Sequence, residues 1–254
     1  MVTAAEFKDH FSAESGNYAQ YRPTYPDELF EFLGSIVAAN AVAWDCATGS
    51  GQAAIALADH FEKVIASDAS QSQIDAAIAD PRVEYRVASA EQSGLADHSV
   101  DLLTVGQAFH WFDETTFLAE AQRILKPDGM LAIWCYELCH VAEECDAIVD
   151  TLYRDIVGEY WPPERVTIEQ GYSRADLPGE AVAVPTFEMS SDWRSADMLG
   201  YLRTWSACKR YAAEKGSDPV ALLESQLVAA WGDQKRRVIW PMHIKVSRTN
   251  TLLE

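Results

Sequence analysis

Two acidic residues and a pair of glycines have the spacing of a nucleotide-binding site. In AVAWDCATGSGQAAIALA, residues 41–58, Asp45 closes an apolar run, Gly49 and Gly51 follow, and a helical pattern begins. Glycines at such a turn permit positive φ and let a ligand approach the N–H groups at the positive end of a helix. Asp68 closes the next apolar run, where a ribose-binding acid is expected. The pattern therefore predicts a nucleotide or nucleoside site.

The ligand class has two interpretations. The segment GSGQAA, residues 49–54, satisfies the dinucleotide pattern GxGxxG/A, which favours an NAD(P)-dependent or flavin-dependent oxidoreductase. The carboxylate of Asp45 would meet like charge beside a pyrophosphate, whereas it would attract a ligand that carries an ammonium and a sulfonium group. The charges thus favour a cationic amino-acid nucleoside.

His110 and Trp111 follow a later apolar run, in QAFHWFD, residues 107–113. Such a histidine can orient or deprotonate a substrate, and a lone histidine beside aromatic residues is also typical of a packed, hydrogen-bonded side chain. Both interpretations stay open. The five cysteines contain no CxxC pair and, with His140, fit no closed zinc pattern, so no metal is expected.

The segment YAQYRPTYP, residues 18–26, contains two prolines that keep the preceding Arg22 and Tyr25 out of helical geometry. It predicts a stiff, extended strap. The strap is either a capping linker or a lid in which Tyr18, Tyr21 and Arg22 close over a ligand, because aromatic faces suit a cationic sulfur.

The elements that must position these residues alternate between strand and helix. Strands are predicted at 41–46, 63–68, 83–88, 99–106 and 130–136, and helices at 27–39, 49–61, 71–79 and 114–125, with Ser70 and Asp113 as helix caps. Parallel neighbours need crossover connections of this length, so the alternation predicts an α/β fold with a doubly wound parallel sheet. Ligands of such sheets bind beyond the carboxyl ends of the strands.

The second half has weaker periodicity. It predicts a helix at 143–160, a loop at 162–180, a strand at 183–190, a helix from about Ser195, another after Pro219 and a long last strand at 237–248. The stripe Met198, Tyr201, Leu202, Trp205 and Cys208 has the spacing of one buried helix face. We expect one domain over 1–254, with a strap at 1–26, a cofactor-binding core at 27–136 and substrate-side insertions and final strands at 137–254.

The net charge limits the classes of binding partner that are expected. The 254 residues carry 20 basic and 39 acidic side chains, a net charge of −19, which disfavours nucleic acid and anionic membranes. Residues 203–248 instead hold nine Lys and Arg against four acids. They either cover an acidic body or form a pocket for a small anion, with Arg203 and Arg210, seven apart, on one helix face. The charged N-terminal segment resembles no signal peptide, and no apolar run could span a membrane, so a cytoplasmic location is expected.

The ordered motifs resemble those of the class I S-adenosylmethionine-dependent methyltransferases. Residues 45–51, DCATGSG, resemble the family's (D/E)xGxGxG, with Ala47 in place of the first glycine. IASDAS, SAE at 89–91, VDLLTVGQAFHWFD at 100–113 and LKPDGMLAIW at 125–134 follow in order, so the resemblance covers about residues 16–136. It implies a Rossmann-like, seven-stranded, mostly parallel sheet with an antiparallel last strand and late helical insertions, and S-adenosyl-L-methionine as the cofactor.

The resemblance also implies roles for individual residues. The implied cofactor-binding set is Tyr21, Arg22, Asp45, Ala47, Gly49, Gly51, Asp68, Ala69, Ser89, Ala90, Glu91 and Gln107. His110 is the candidate catalytic residue, and Trp111, Arg203 and Arg210 are the candidate substrate-binding residues.

The strap, QAFHWFD and, less closely, YLRTWSACKRY at 201–211 are similar to the trans-aconitate methyltransferase-like branch. That similarity implies a small-molecule acceptor, with a carboxylic acid as the leading candidate. An NAD(P)-dependent oxidoreductase and a non-catalytic S-adenosylmethionine-binding protein are the alternatives.

Overall fold

The alternating elements form a seven-stranded sheet flanked by helices. The computed structural model describes residues 21–249, and its main sheet has the order β3-β2-β1-β4-β5-β9-β6. Strands β1 to β5 are parallel, whereas β9 is antiparallel to both β5 and β6. The strands of this sheet are β1 Val42–Cys46, β2 Lys63–Asp68, β3 Val83–Val87, β4 Val100–Gly106, β5 Leu125–Tyr136, β6 Glu180–Val182 and β9 Met242–Arg248. The predicted fold class is confirmed.

Helices connect the strands and build a second layer. They are α1 Asp27–Ile36, α2 Gln52–Leu57, α3 Gln71–Ala76, α4 Glu114–Ile124, α5 Glu143–Asp150, α6 Arg165–Glu169, α7 Ser195–Arg203, α8 Ser206–Lys215 and α9 Glu224–Trp231. Single 3-10 turns lie at Phe109–Trp111, Gly158–Tyr160 and Val220–Leu222, and a π-helical turn at Thr151–Ile156 continues α5. A separate two-stranded sheet pairs β7 Met189–Trp193 with β8 Arg236–Trp240. Within residues 21–249, no helix has the length and apolar character to cross a membrane.

Each face of the central strands has its own buried cluster. On one face Trp44, Leu103 and Ile133 pack with Phe117 and Ala121 of α4. On the other face, the cluster joins residues of α1 and α2 to the alternate strand positions Ala43, Leu102 and Ala132. Strands covered on both sides read as continuous apolar runs, which is why their positions could be predicted.

A third buried cluster lies in the cover, our name for residues 143–240. Its core is rich in aromatic residues, among them Tyr153, Tyr201, Trp205, Trp231 and Trp240. Tyr136, at the carboxyl end of β5, belongs to the same cluster, and Tyr21 and Tyr25 of the strap pack against it. The cover and the strap therefore meet at the sheet edge where the strands end.

Several predictions for the second half are wrong. The helix from Ser195 ends at Arg203, and α8 begins at Ser206, because the backbone of Trp205 is extended. Pro241 divides the predicted strand 237–248 into β8 and β9. Of the predicted strand 183–190, only Met189 and Ser190 lie in a strand, at the start of β7, and β6 ends before it at Val182. The segment 143–160 is helical as predicted, with α-helix to Asp150 and π and 3-10 turns after it.

The two predicted helix caps had different outcomes. The Asp113 side chain accepts a hydrogen bond from the Thr116 N–H at 2.8 Å, as expected of a cap. Ser70 occupies the N-cap position of α3 but makes no side-chain cap hydrogen bond there.

Candidate functional site

The loop between β1 and α2 is built around left-handed backbone. Gly49 has φ +56° and Gly51 has φ +85°. A Cβ atom at Gly51 would lie 2.3 Å from the Tyr85 hydroxyl oxygen, so only glycine fits there. Ala47, in place of the motif's first glycine, also has a positive φ of +56°. An L-residue is strained in that region, so Ala47 has a conformational cost that the motif's glycine would not have.

Asp45 lies beneath this loop and is 1% exposed. Its carboxylate accepts hydrogen bonds from the hydroxyls of Thr48 at 2.6 Å and Thr104 at 2.8 Å. Burial raises the pKa of Asp45 to about 6, and the two threonine hydrogen bonds oppose that shift. A carboxyl group enclosed in this way can influence a ligand only through its charge and through the loop above it, not by direct contact.

Asp68, at the end of β2, joins the glycine loop to the start of α3. Its Oδ2 atom accepts from the Gly49 N–H at 3.0 Å, and Oδ1 accepts from the Ser70 N–H at 2.9 Å. A carboxylate has about four acceptor positions and can accept from ligand hydroxyls as well as from backbone N–H groups. Ala69 follows in the same turn and is half-buried.

The segment Ser89–Glu91 follows β3 and is tied to the loop after β4. Ala90 is buried in the cluster beneath α4, and a Glu91 carboxylate oxygen accepts from the Asp113 N–H at 3.2 Å. This contact places the segment at the same edge of the sheet as Asp68. The geometry agrees with a ligand-facing role for the segment but does not test it.

Gln107 follows β4 with a positive φ of +57°. Its side-chain amide pairs with the backbone of Tyr136, donating to the carbonyl at 3.3 Å and accepting from the N–H at 3.0 Å. In the described structure, the side chain thus fastens the ends of β4 and β5 together. Its predicted role in cofactor binding stays a prediction.

The strap crosses from the glycine loop to the end of β5. Gln52 of α2 donates to the Pro23 carbonyl at 3.1 Å, and Arg22 donates to the Tyr136 hydroxyl at 2.8 Å. The Arg22 guanidinium also lies 5.7 Å from the ring centroid of Tyr201, a cation–π contact with the cover. Tyr21 packs against Gly200 of α7. Tyr18 lies outside the described residues.

His110 lies in the 3-10 turn after β4 and is hydrogen-bonded. Its Nδ1 atom is 3.0 Å from the Tyr172 hydroxyl, and its ring centroid is 4.6 Å from that of Trp111. Burial, with a smaller contribution from the positive charge of Arg165, lowers the pKa of His110 to about 3. The imidazole is therefore neutral at physiological pH and a weak base, which favours the packed, hydrogen-bonded interpretation.

Arg203 and Arg210 do not share a helix face, because they lie on different helices. The exposed Arg203 guanidinium is ion-paired with Asp218 and Glu224, each at 2.7 Å. Arg210 donates to the Tyr160 carbonyl at 3.2 Å. The shared-face premise is wrong, and two carboxylates offset the charge of Arg203. A substrate-binding role for either arginine stays a prediction.

Sequence reasoning missed a group of residues from the predicted loop 162–180 and its neighbours. The group comprises Tyr153, Trp161, Arg165 and Tyr172. The helix α6, which begins at Arg165, packs against the turn that carries His110. The aromatic residues around Pro162 and Pro163 in EYWPPER were the available signal, since proline beside aromatic residues is uncommon in a solvated linker.

Comparison with known proteins identifies relatives along the chain. A family model described as a methyltransferase domain matches residues 44–133. A putative methyltransferase of Dictyostelium discoideum is 35% identical over 257 residues, covering 98% of each chain. The solved structure of a putative type II methyltransferase from Anaeromyxobacter dehalogenans is 42% identical, with a TM-score of 0.84, and the match covers 91% of this chain and 99% of that one. An uncharacterized methyltransferase of Schizosaccharomyces pombe is 35% identical over 129 residues, about half of each chain.

Proposed function

The chain belongs to the class I S-adenosylmethionine-dependent methyltransferases, and from this premise we propose that its acceptor is a small carboxylic acid. The observation that carries a small acceptor is the strap. It is hydrogen-bonded to α2 beside the glycine loop at one end and to Tyr136 of β5 at the other. The strap therefore passes over the edge where β1 and β4 end. A site enclosed in this way suits a molecule small enough to lie beneath it.

The residues present fit the cofactor. Asp68 places a carboxylate, a suitable acceptor for ribose hydroxyls, at the end of β2 beside the glycine loop, and Asp45 places a titratable carboxyl group beneath the loop that would face the amino-acid end. The loop 45–52 contains no lysine or arginine that would offset the negative charge of a pyrophosphate. S-adenosyl-L-methionine, when bound, supplies an electrophilic methyl group on a sulfonium. The aromatic rings of Tyr21 and Tyr25 in the strap suit such a cation.

Methyl transfer is a direct displacement that needs in-line alignment and a dry site more than a protein nucleophile. The strap and the aromatic core of the cover exclude water from the edge of the sheet. The neutral His110, fixed by Tyr172, can orient an acceptor by hydrogen bonding. A carboxylate acceptor needs no deprotonation at neutral pH, so a weakly basic histidine is compatible with the reaction.

We place the chain near the trans-aconitate methyltransferase-like branch. The support is that the strap and the segment QAFHWFD contact the same residue. Arg22 of the strap donates to the Tyr136 hydroxyl, and the Gln107 side chain accepts from the Tyr136 N–H. The net charge of −19 supports a small-molecule partner over nucleic acid or an anionic membrane surface.

The experiment is a turnover panel. The purified protein is incubated with S-adenosyl-L-methionine and separate di- and tricarboxylates, phenols and amines, and mass spectrometry follows S-adenosyl-L-homocysteine and methylated acceptor. We expect product with carboxylates, as a methyl ester that mild alkali hydrolyses. Methylation confined to phenols or amines would contradict the acceptor class and leave the family assignment intact.

A further inference from the structure

The guanidinium of Arg165 lies against two neighbouring aromatic rings, whose centroids are 4.9 Å apart. Its carbon lies 4.8 Å from the ring centroid of Trp161 and 5.4 Å from that of Tyr153. Its Nε atom donates to the Tyr153 hydroxyl at 2.8 Å. The ring contacts and this hydrogen bond hold the guanidinium in place, so less side-chain freedom is lost when a ligand binds.

Arg165 has no acidic partner in the described part of the chain. The sequence has 39 acids against 20 bases, yet no carboxylate oxygen from residues 21–249 lies within 4.0 Å of this guanidinium. Glu169, on the same short helix, instead accepts a hydrogen bond from the Tyr153 hydroxyl at 2.5 Å. The Tyr153 hydroxyl therefore lies between that acid and Arg165, and no carboxylate of residues 21–249 pairs directly with the guanidinium.

Arg154 supplies the comparison within the same structure. Its guanidinium also lies over the Tyr153 ring, at 6.0 Å from the centroid, but it is paired with Asp150 at 2.6 Å and its side chain is 66% exposed. Arg165 is half-buried. The two arginines share an aromatic neighbour, but of the two only Arg154 has a carboxylate among residues 21–249 as an ion-pair partner.

The location of Arg165 is next to the candidate site. The helix α6 packs against the 3-10 turn of His110 and lies over β5, where the Cys135 thiol approaches the Ile168 carbonyl at 3.9 Å. The charge of Arg165 is near enough to His110 to contribute to its lowered pKa. An anion bound by the terminal nitrogens would therefore lie on the acceptor side of the sheet edge.

We propose that Arg165, stacked on Trp161 and hydrogen-bonded to Tyr153, binds a carboxylate of the acceptor and determines the preference for anionic acceptors. The inference rests on the proposed function and assigns its charge recognition to a residue outside the basic segment 203–248. A planar guanidinium with both terminal nitrogens available matches a carboxylate bidentately. The same contact would help to align the acceptor for displacement.

The test measures binding by calorimetry in the presence of S-adenosyl-L-homocysteine, with succinate, benzoate and propane-1,2,3-tricarboxylate as probes and the neutral triamide of the last as a control ligand. We expect the wild type to bind at least one carboxylate and not the triamide. Arg165→Gln should weaken that binding at least tenfold, and Arg165→Lys should restore part of it. Arg154→Gln, the matched control, should bind like the wild type.

The outcomes separate the two proposals. Carboxylate binding that survives Arg165→Gln, or a wild type that binds none of the three carboxylates, would overturn the role of Arg165. Affinity for S-adenosyl-L-homocysteine should stay within twofold in both Arg165 variants, because a structural collapse would reduce it as well. Arg165-dependent carboxylate binding without methyl ester in the turnover panel would leave the anion site standing and reject the proposed reaction.

Discussion

The Asp68 carboxylate accepts a hydrogen bond from the backbone N–H of Gly49, with 3.0 Å between Oδ2 and the nitrogen. This contact joins the end of β2 to the glycine loop after β1. A second backbone donor, Ser70, fixes the other oxygen. The two contacts hold the carboxylate in one orientation at the sheet edge before ligand binding.

Asp68→Ala should weaken binding of S-adenosyl-L-methionine at least tenfold. Charge-assisted hydrogen bonds contribute about 1.5–3 kcal/mol each, and about 1.4 kcal/mol corresponds to a factor of ten. Titration calorimetry measures the effect, and Asp59→Ala, which removes an exposed acid paired with Arg82, is the control for net charge. Unchanged affinity in Asp68→Ala would remove this residue from the site.

Asp45 should make cofactor binding depend on pH. Its pKa is raised to about 6 by burial, so the group is largely protonated at pH 5 and ionised at pH 7. Because a negative charge attracts the cationic cofactor, we expect affinity for S-adenosyl-L-methionine to rise about tenfold from pH 5 to pH 7. Asp45→Asn keeps the shape and should bind with a flat pH profile, at the weaker level. A variant that retains the wild-type pH dependence would exclude Asp45 as its source.

The same group should affect the stability of the cofactor-free protein. The folded-state pKa lies above the ordinary value of 3.8, so between pH 4 and pH 6 the folded state binds more protons than the unfolded state. The contribution of Asp45 to the free energy of unfolding therefore falls as pH rises through this window, by an amount on the order of 2 kcal/mol. Because His110 contributes in the opposite direction, the test is the difference between wild type and Asp45→Asn in thermal melts at pH 4, 5, 6 and 7: the stability of the wild type relative to the variant should fall as pH rises.

Ala47→Gly should stabilise the protein. A left-handed conformation costs a residue with a Cβ about 1–2 kcal/mol, and the greater chain entropy of unfolded glycine offsets about 0.4–1 kcal/mol of the relief. With φ +56° at Ala47, we expect a net gain of about 0.5–1 kcal/mol and a melting temperature about 1–4 °C higher. Ala54→Gly, in buried α2, is the opposite-sign control and should destabilise. A lower melting temperature for Ala47→Gly would show that the alanine methyl has a packing role.

The cofactor half of the fold could be predicted because its signals are local. Strand β2 has the predicted bounds, and β1, β3 and β4 differ by one residue, since buried parallel strands give apolar runs that end abruptly. The loop 45–51 and Asp68 follow from strand ends that parallel topology brings to one edge. No pattern in the sequence, however, shows that Gln107 pairs with the backbone of Tyr136, 29 residues away.

The cover could not be predicted to the same extent because long-range contacts determine it. The stripe from Met198 to Cys208 is buried, as expected, although an extended Trp205 interrupts the helix. Arg203 is paired with acids 15 and 21 residues away, which offset the charge on which its predicted role depends. Arg165, in a segment predicted as loop, is instead an arginine that pairs directly with no carboxylate of residues 21–249.

Replacing His110 should lower activity only modestly. Its pKa of about 3 keeps the imidazole neutral above pH 5. Between pH 6 and pH 7, the rate should therefore depend on pH in the same way in the wild type and in His110→Gln. Glutamine can still hydrogen-bond to the Tyr172 hydroxyl, so we expect less than a tenfold loss of kcat/KM. A rise in the wild-type rate with an apparent pKa near 6.5 that disappears in the variant would instead identify His110 as a general base.

Stability supplies an independent measure of the same histidine. Its folded-state pKa lies below the ordinary 6.5, so below pH 6.5 the unfolded state binds more protons and the free energy of unfolding falls as pH decreases. From pH 6.5 to pH 5, this group should remove about 2 kcal/mol. The fall should be smaller by that amount in His110→Gln. Denaturant unfolding at pH 5 and pH 7 measures it, and His140→Gln, at a 62% exposed histidine, is the control for removing one imidazole. An equal loss of stability at pH 5 in wild type and His110→Gln would show that His110 is protonated in the folded protein.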